Sequence, residues 1–448
     1  MFKKILVANR GEIACRIIRA CRAMGIETVA VYSTADKNSL HVYLADESVC
    51  IGPPSVKKSY LNNEAIMTVA KAQNVDAIHP GYGLLSESSI FAQQCIDNGI
   101  AFIGPSPKTI EKMGDKAEAR ATMIKAGVPV TPGTDVLKGA KEALAQAEKI
   151  GFPVMIKASA GGGGKGMRAC WNKESFVELF DIARSEAQAS FGDDSMYIEK
   201  LIENPRHIEV QIIADTHGNV VALGERDCSV QRNNQKIIEE SPSVGLPDNV
   251  RKAMYKTSVK AAKAANYHSA GTIEYLVDKD NNYYFMEMNT RIQVEHPVTE
   301  MVTGADIVQE MIRIAAGENL TVTNYDIIDR GHAIECRINA EEPESGFKPS
   351  PGTITQTHLP GGNGVRVDTA IYDGYTVTPY YDSLIAKVIV HGRDRREALA
   401  KMRTALEEMV IVGVNTNLDF LYSIANDETF QTGAVDTSFV EKFMKGEL

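Results

Sequence analysis

The residues best equipped for chemistry lie between Gly271 and Thr299, in GTIEYLVDKDNNYYFMEMNTRIQVEHPVT. Two strand-like runs, Thr272–Val277 and Tyr283–Met288, flank the turn-rich tract Asp278–Asn282, which predicts an antiparallel hairpin. Counted outward from the turn, Glu274 falls almost opposite Glu287. Side chains facing each other across a hairpin lie about 5 Å apart. Close carboxylates repel, and a hard divalent cation with oxygen ligands neutralises them economically. The period of two puts Phe285, Glu287 and Asn289 on one face of the second strand and Tyr284, Met286 and Met288 on the other. One face then enters a core, and the other offers two carboxylates and an amide oxygen. If the chain stays extended, Arg291, Gln293 and Glu295 continue the alternation with a fixed cation, an amide and a potential base. The competing reading is an exposed hairpin with solvated charges, because a one-residue slip in register separates the carboxylates.

Positioning such a row takes more than one core. The chain has 448 residues, which predicts two or three domains. Its 48 basic and 58 acidic side chains leave a net charge of −10, which argues against general binding to nucleic acid or anionic membranes. No apolar run approaches a membrane span of about 20 residues, and the N-terminus MFKKILVANRGE has no signal-peptide layout. Seven scattered cysteines without a CxxC pair suit a reducing, cytoplasmic setting.

Strand and helix patterns alternate over residues 1–110, which predicts a parallel α/β sheet. The first turn is AsnArgGlyGlu and not GxGxxG, so no dinucleotide site is expected. His79–Gly83 (HPGYG) follows a strand end, where open α/β sheets place ligands; an ordinary Pro-Gly turn is the simpler reading. Residues 111–130 read as one helix ending at Gly127, with Lys116 in its first half. A small α+β unit follows, with a glycine loop at Gly161–Gly166. That loop lacks the Lys-Ser/Thr of a P-loop. Four consecutive glycines are costly to order, which favours a lid ordered by phosphates, with Lys157 supplying charge. His207–Ala214 and Val220–Leu223 read as a hairpin with His207 and Glu209 on one face, and Lys236 sits in a polar run. From Gly331 the pattern changes to short alternating strands and a final helix, Arg395–Val410.

Taken together, Ala8–Ala14 (ANRGEIA), His79–Gly83, Lys157 with the glycine loop, Tyr197–Lys200, Gln235–Glu240 (QKIIEE), Met286–Pro297 (MEMNTRIQVEHP), Glu335–Asn339 (ECRIN) and Tyr380–Ser383 (YYDS) occur in one order. In these motifs the sequence resembles, nearly end to end, the biotin carboxylase subunits of biotin-dependent carboxylases, most of all the separate bacterial subunit of acetyl-CoA carboxylase. The resemblance implies an ATP-grasp fold of mixed α/β and α+β class. Its parts would be an N-terminal α/β domain (1–114), an ATP-grasp domain (115–330) with a lid at about 131–203, and a C-terminal domain (331–448).

The resemblance also implies roles. Lys116, Lys157, Gly163, Gly164 and His207 would contact the ATP phosphates or ribose. Glu199, Lys200 and Ile202 would line the adenine slot, with Gln231 and Asn234 also on the nucleotide. Glu274, Glu287 and Asn289 would hold Mg²⁺ or Mn²⁺, as the hairpin argument expects. Lys236, Arg291, Gln293 and the backbone of Val294 would hold bicarbonate, with Glu295 as base. Tyr82 and Gly83 would touch biotin, and Arg337 would stabilise charge on it. The implied partners are a biotin carboxyl carrier protein, carboxyltransferase subunits and a second copy of the chain. Asn233 and Asn234 stand where relatives often carry Arg and His. Ala23 and Asn363 replace larger or charged groups near the usual dimer surface, where Arg19 and Arg366 match. Alternatives are the same half-reaction in a pyruvate, propionyl-CoA or other acyl-CoA carboxylase, an ATP-grasp ligase with another acceptor, and a silent nucleotide sensor. Intact Lys236, Arg291, Glu295 and Arg337 speak against the sensor.

Overall fold

The computed structural model describes residues 1–137, 139–159, 166–322 and 331–448. Ile5, Leu6 and Val7 form an unbroken apolar run and are wholly buried, as a strand covered on both faces requires. They lie in β1 (Lys4–Val7), followed by helix α1 (Gly11–Ala23) and strands β2 (Glu27–Ser33), β3 (Glu47–Gly52), β4 (Ala77–His79) and β5 (Ala101–Phe102). The sheet order is β3-β2-β1-β4-β5, all parallel. Strand order reverses at β1, so the loops after β1 and β4 splay apart and leave a crevice. Asn9 ties the two loops together by donating to Pro80 O at 2.6 Å and Tyr82 O at 2.8 Å.

The single helix expected over 111–130 is two helices, Pro107–Gly114 and Lys116–Lys125. Asp115 breaks the run and caps the second, its side chain accepting from the Glu118 amide at 2.8 Å. Lys116 therefore opens a helix, which turns it toward the hairpin. Strands β6 (Val154–Ala158), β7 (Met167–Cys170) and β8 (Met196–Lys200) form a separate sheet ordered β7-β6-β8. Helices Ala140–Ile150 and Phe176–Phe191 back it, with Phe176 and Phe180 stacked in its core. Gly163, Gly164 and most of the glycine loop lie outside the described residues.

The largest element is an eight-stranded antiparallel sheet. It contains β9 (Arg206–Ala214), β10 (Val220–Arg232), β11 (Gln235–Ser241), β12 (Ser269–Val277), β13 (Tyr283–Asn289) and β14 (His332–Asn339). The order is β13-β12-β9-β10-β11-β14, continued by strands Leu384–Gly392 and Val365–Thr369. The change in sequence character at Gly331 is thus no break in the sheet, since β11 pairs directly with β14. Beyond it the short strands are Gly352–Thr353, paired with Thr376–Val377, and Gln356–His358, paired with Val410–Val412. Helix Arg395–Glu408 covers this end of the sheet, joined by Leu418–Asn426, Glu428–Thr432 and Phe439–Lys445. Among the described residues no helix is long and apolar enough to cross a membrane.

Gly331 has φ +90°, and a Cβ there would lie 2.1 Å from the Gly392 carbonyl oxygen across the sheet. Gly331→Ala is expected to cost about 2 kcal/mol or more through strain and overlap. A lowered thermal midpoint with an unchanged far-ultraviolet spectrum is the outcome to look for.

Candidate active site

The hairpin pairs Thr272 with Asn289, Ile273 with Met288 and Glu274 with Glu287, then shifts register so that Tyr275 faces Phe285. This bulge gives β13 one extra residue, Met286, and reverses the phase before it. Phe285 packs with Ile273, Tyr275 and Met288 in the core, and Met286 joins Glu287 and Asn289 in the cleft. The even alternation expected from sequence is thereby corrected: Phe285 and Met286 exchange faces. The paired acids keep theirs. Beyond Asn289 the chain bends and then enters helix His296–Thr303, with Glu295 at its N-cap. Arg291, Gln293 and Glu295 still line the cleft while Ile292 enters a core.

Lys236 on β11 is the hub. Its Nζ meets Glu209 Oε2 at 2.6 Å, Glu295 Oε1 at 2.7 Å and Glu274 Oε1 at 3.0 Å. Below it, wholly buried Arg226 donates to Glu209 at 2.6 Å, Gln293 Oε1 at 2.6 Å and Gln211 at 2.7 Å. Gln293 and Asn289 each donate to Glu274 Oε1 at 2.8 Å, and His207 Nε2 meets Glu274 Oε2 at 2.9 Å. Arg337 reaches Glu295 Oε2 at 3.0 Å. Burial alone would raise these carboxyls, but Lys236 outweighs it. Glu209 is held at about 2, Glu274 well below the carboxylate range, and Glu295 below it, with Arg337 assisting. The Lys236 ammonium is correspondingly stabilised against burial.

Glu287 differs. Its side chain is 40% exposed, and among the described residues its ion-pair neighbour is Lys116, 3.9 Å away. Burial, and next the charge of Glu274, push its carboxyl upward. A paired carboxylate short of positive charge, with Glu274 and the Asn289 amide oxygen beside it, is an all-oxygen donor set that fits a hard divalent cation. On the side of β6 and β8, Lys157 Nζ pairs with Glu199 Oε2 at 2.5 Å, and Arg120 holds the other oxygen at 3.0 Å. Lys200 donates to Gly151 O and Phe152 O at 3.0 Å each. Asn233 and Asn234 form the two-residue turn between β10 and β11, both left-handed at φ 49° and 62°. Asparagine tolerates that conformation, as a tight hairpin turn requires.

At the other end, Tyr82 donates to Glu12 Oε1 at 2.5 Å. Lys387, fully buried, pairs with the same oxygen at 3.2 Å and donates to Val294 O at 2.6 Å. Arg291 bridges Glu87 Oε2 at 2.8 Å and Asn289 Oδ1 at 3.0 Å. One cleft of about 1000 Å³ runs from Tyr82 and Glu12 past Arg337, Lys236 and Glu287 to Lys157 and Glu199. Every residue that sequence reading named for the site lines it, save Gly163 and Gly164, which lie outside the described residues. Sequence reading missed Glu12, Glu87, Arg226 and Lys387.

Three family models match in succession. These are "Biotin carboxylase, N-terminal domain" over residues 1–110, "Carbamoyl-phosphate synthase L chain, ATP binding domain" over 115–323, and "Biotin carboxylase C-terminal domain" over 335–442. The chain is 56% identical over 445 residues to the biotin carboxylase of Nostoc sp., covering 99% of this chain and 100% of that one. It is 51% identical over 447 residues to a pyruvate carboxylase subunit of Methanothermobacter thermautotrophicus, covering 100% and 91%. The biotin carboxylase domain dimer of Hydrogenobacter thermophilus 2-oxoglutarate carboxylase, solved with MgADP, ADP and bicarbonate, superposes with a TM-score of 0.95 at 52% identity, covering 99% and 98%. The separate three-stranded sheet, the acidic hairpin and the parallel α/β sheet, with the match to an ATP-binding domain, define an ATP-dependent ligase of the ATP-grasp fold. Within that class the chain belongs to the biotin carboxylase family and is the biotin carboxylase subunit of a biotin-dependent carboxylase.

The hub makes a pH prediction. Glu209, Glu274 and Glu295 have lowered folded pKa values, so they stabilise the fold above the unfolded value of about 4.3. That stability is lost as pH falls toward the folded values, about 2 for Glu209. Lys236→Met should cost roughly 3–5 kcal/mol near neutrality by stranding buried charge, and should move the acid-side loss to higher pH. Thermal unfolding from about pH 8 to about pH 2 would show both effects.

Proposed function

We propose that this subunit carboxylates biotin held on a separate carrier polypeptide, with ATP and bicarbonate, as the first half-reaction of acetyl-CoA carboxylase. The observation that carries the reading is the Lys236 hub, which holds Glu295 ionised, together with the Arg337 contact to that same carboxylate. Lys116, Lys157, His207, Gly163 and Gly164 serve the phosphates and ribose. Glu199, Lys200, Ile202, Gln231 and Asn234 serve the rest of the nucleotide. Glu274, Glu287 and Asn289 hold Mg²⁺ or Mn²⁺, which when bound offsets charge on the phosphates.

Bicarbonate sits against Lys236, Arg291, Gln293 and Val294. Glu295 accepts its proton as a bicarbonate oxygen attacks the γ-phosphorus, giving carboxyphosphate and ADP. A cleft closed to water protects this labile product. Carboxyphosphate divides into CO₂ and phosphate, and the phosphate takes the N1′ proton of biotin. Tyr82 and Gly83 contact biotin, and the permanent charge of Arg337 stabilises negative charge at its ureido oxygen. N1′ then attacks CO₂.

The acetyl-CoA acceptor is supported by the motif likeness to the separate bacterial subunits of acetyl-CoA carboxylase. A second reading, service to pyruvate carboxylation, is favoured by the 51% identity to a pyruvate carboxylase subunit. All seven cysteines are unpaired, which suits a reducing compartment such as the cytoplasm. A homodimer is expected from the dimeric 2-oxoglutarate carboxylase domain.

Purified protein with ATP, Mg²⁺ and bicarbonate should release phosphate faster when free biotin is added; equal rates would remove the assignment. Glu295→Gln should lower that rate at least about 100-fold with nucleotide affinity retained. Reconstitution with a biotinylated carrier and an acetyl-CoA carboxyltransferase should yield malonyl-CoA. Transfer to pyruvate alone would establish the second reading instead.

A further inference from the structure

Glu239 on β11 and Glu335 on β14 are direct cross-strand partners. Both are completely buried. Glu239 Oε1 accepts from Arg337 Nε at 2.6 Å, and Nη2 of the same guanidinium lies 2.5 Å from it in an ion pair. Its Oε2 and both oxygens of Glu335 have no hydrogen-bond partner among the described residues. The charged and titratable groups facing the pair are Arg337 on β14, Lys236 on β11, Lys387 on the next strand, Glu295 at its helix start, Cys228 on β10 and Tyr82 in the loop after β4. The cations among them are committed. Lys236 serves three other carboxylates, Lys387 serves Val294 O and Glu12, and Arg337 is shared with Glu295.

Carboxylates on directly opposed residues, with Cβ atoms about 5 Å apart, do not both ionise in a dry sheet around one shared guanidinium. Burial, against the pull of Arg337, pushes Glu239 up to about 7. Burial, with Glu239 working against the pull of Lys387, drives Glu335 well above the carboxylate range.

We propose that Glu239 and Glu335 hold one proton between them and that this pair is the positioning element for Arg337, resting on the reading above in which Arg337 acts on biotin. The shared proton ties Glu335 to the free Oε2 of Glu239, leaving Oε1 as the fixed anchor of the guanidinium. Arg337 then keeps positive charge to present to the ureido oxygen. Loss of the proton to solvent base at high pH sets a second negative charge beside Arg337 and cancels what it offers biotin. The pair makes no contact with bicarbonate in this reading and reaches carboxyphosphate formation only through Arg337 and Glu295, so its titration weighs most on the biotin step. It titrates as a unit and not as two independent groups.

An infrared titration of the wild-type protein tests the shared proton directly. A protonated-carboxyl carbonyl band should be present at neutral pH, bleach on the alkaline side, and be missing in the isosteric Glu335→Gln variant. Kinetics tests the link to Arg337. In Glu335→Gln the alkaline decline of biotin-dependent turnover should move up by about one pH unit or more, with that of biotin-independent phosphate release moving less. No such band in the wild-type protein would overturn the proton sharing even if the variant failed to fold. A band accompanied by an unmoved alkaline decline would overturn the positioning role. Full biotin stimulation in Arg337→Gln would instead overturn the biotin reading of Arg337, and with it the positioning role, while the infrared result still decides the proton.

Discussion

The arrangement depends on one ammonium group. Lys236 lies within 3.0 Å of Glu209, Glu274 and Glu295, which belong to β9, β12 and the segment after β13. Three buried carboxylates without a cation at their centre would protonate or pull the strands apart, since taking an ion out of water costs several kcal/mol. With Lys236 present they stay ionised and hold separate strands in one register. Arg226 repeats the device one layer deeper, where it also fixes the Gln293 amide by its oxygen. Gln293 is thereby left with only its N–H groups for Glu274.

The same sheet sorts its acids into two populations. Around Lys236 the carboxyls are lowered and act as anions. Further along β11 and on the neighbouring β14, Glu239 and Glu335 are raised by burial, which the nearby cations do not offset. Environments that push acids in opposite directions are how one site obtains both a base and a neutral acid near pH 7. Here Arg337 marks the border, touching Glu295 on one side and Glu239 on the other.

Much of this was legible in the sequence. The Glu274–Glu287 pairing follows from turn position and strand period, and the structure gives that pairing. The N-terminal parallel sheet follows from alternating patterns. What escaped was set by tertiary packing. The bulge at Met286 leaves no local mark, yet it exchanges the faces of Met286 and Phe285. Asp115 was readable as a helix cap, but the apolar pattern running through it argued for a single helix. Arg226 and Lys387 read as ordinary strand residues until the sheet order brings acids beside them. The continuity of β11 with β14 was hidden because pairing partners nearly a hundred positions apart carry no periodic signal.

That continuity has a mechanical consequence. Lys236, Arg337, Glu209 and Glu274 all ride on one hydrogen-bonded sheet, so their spacing is as stiff as the sheet itself. Strands β6, β7 and β8 share no ladder with it. The groups gathered around Lys236 and Arg337 thus share one stiff frame, and the β7-β6-β8 sheet stands apart from it.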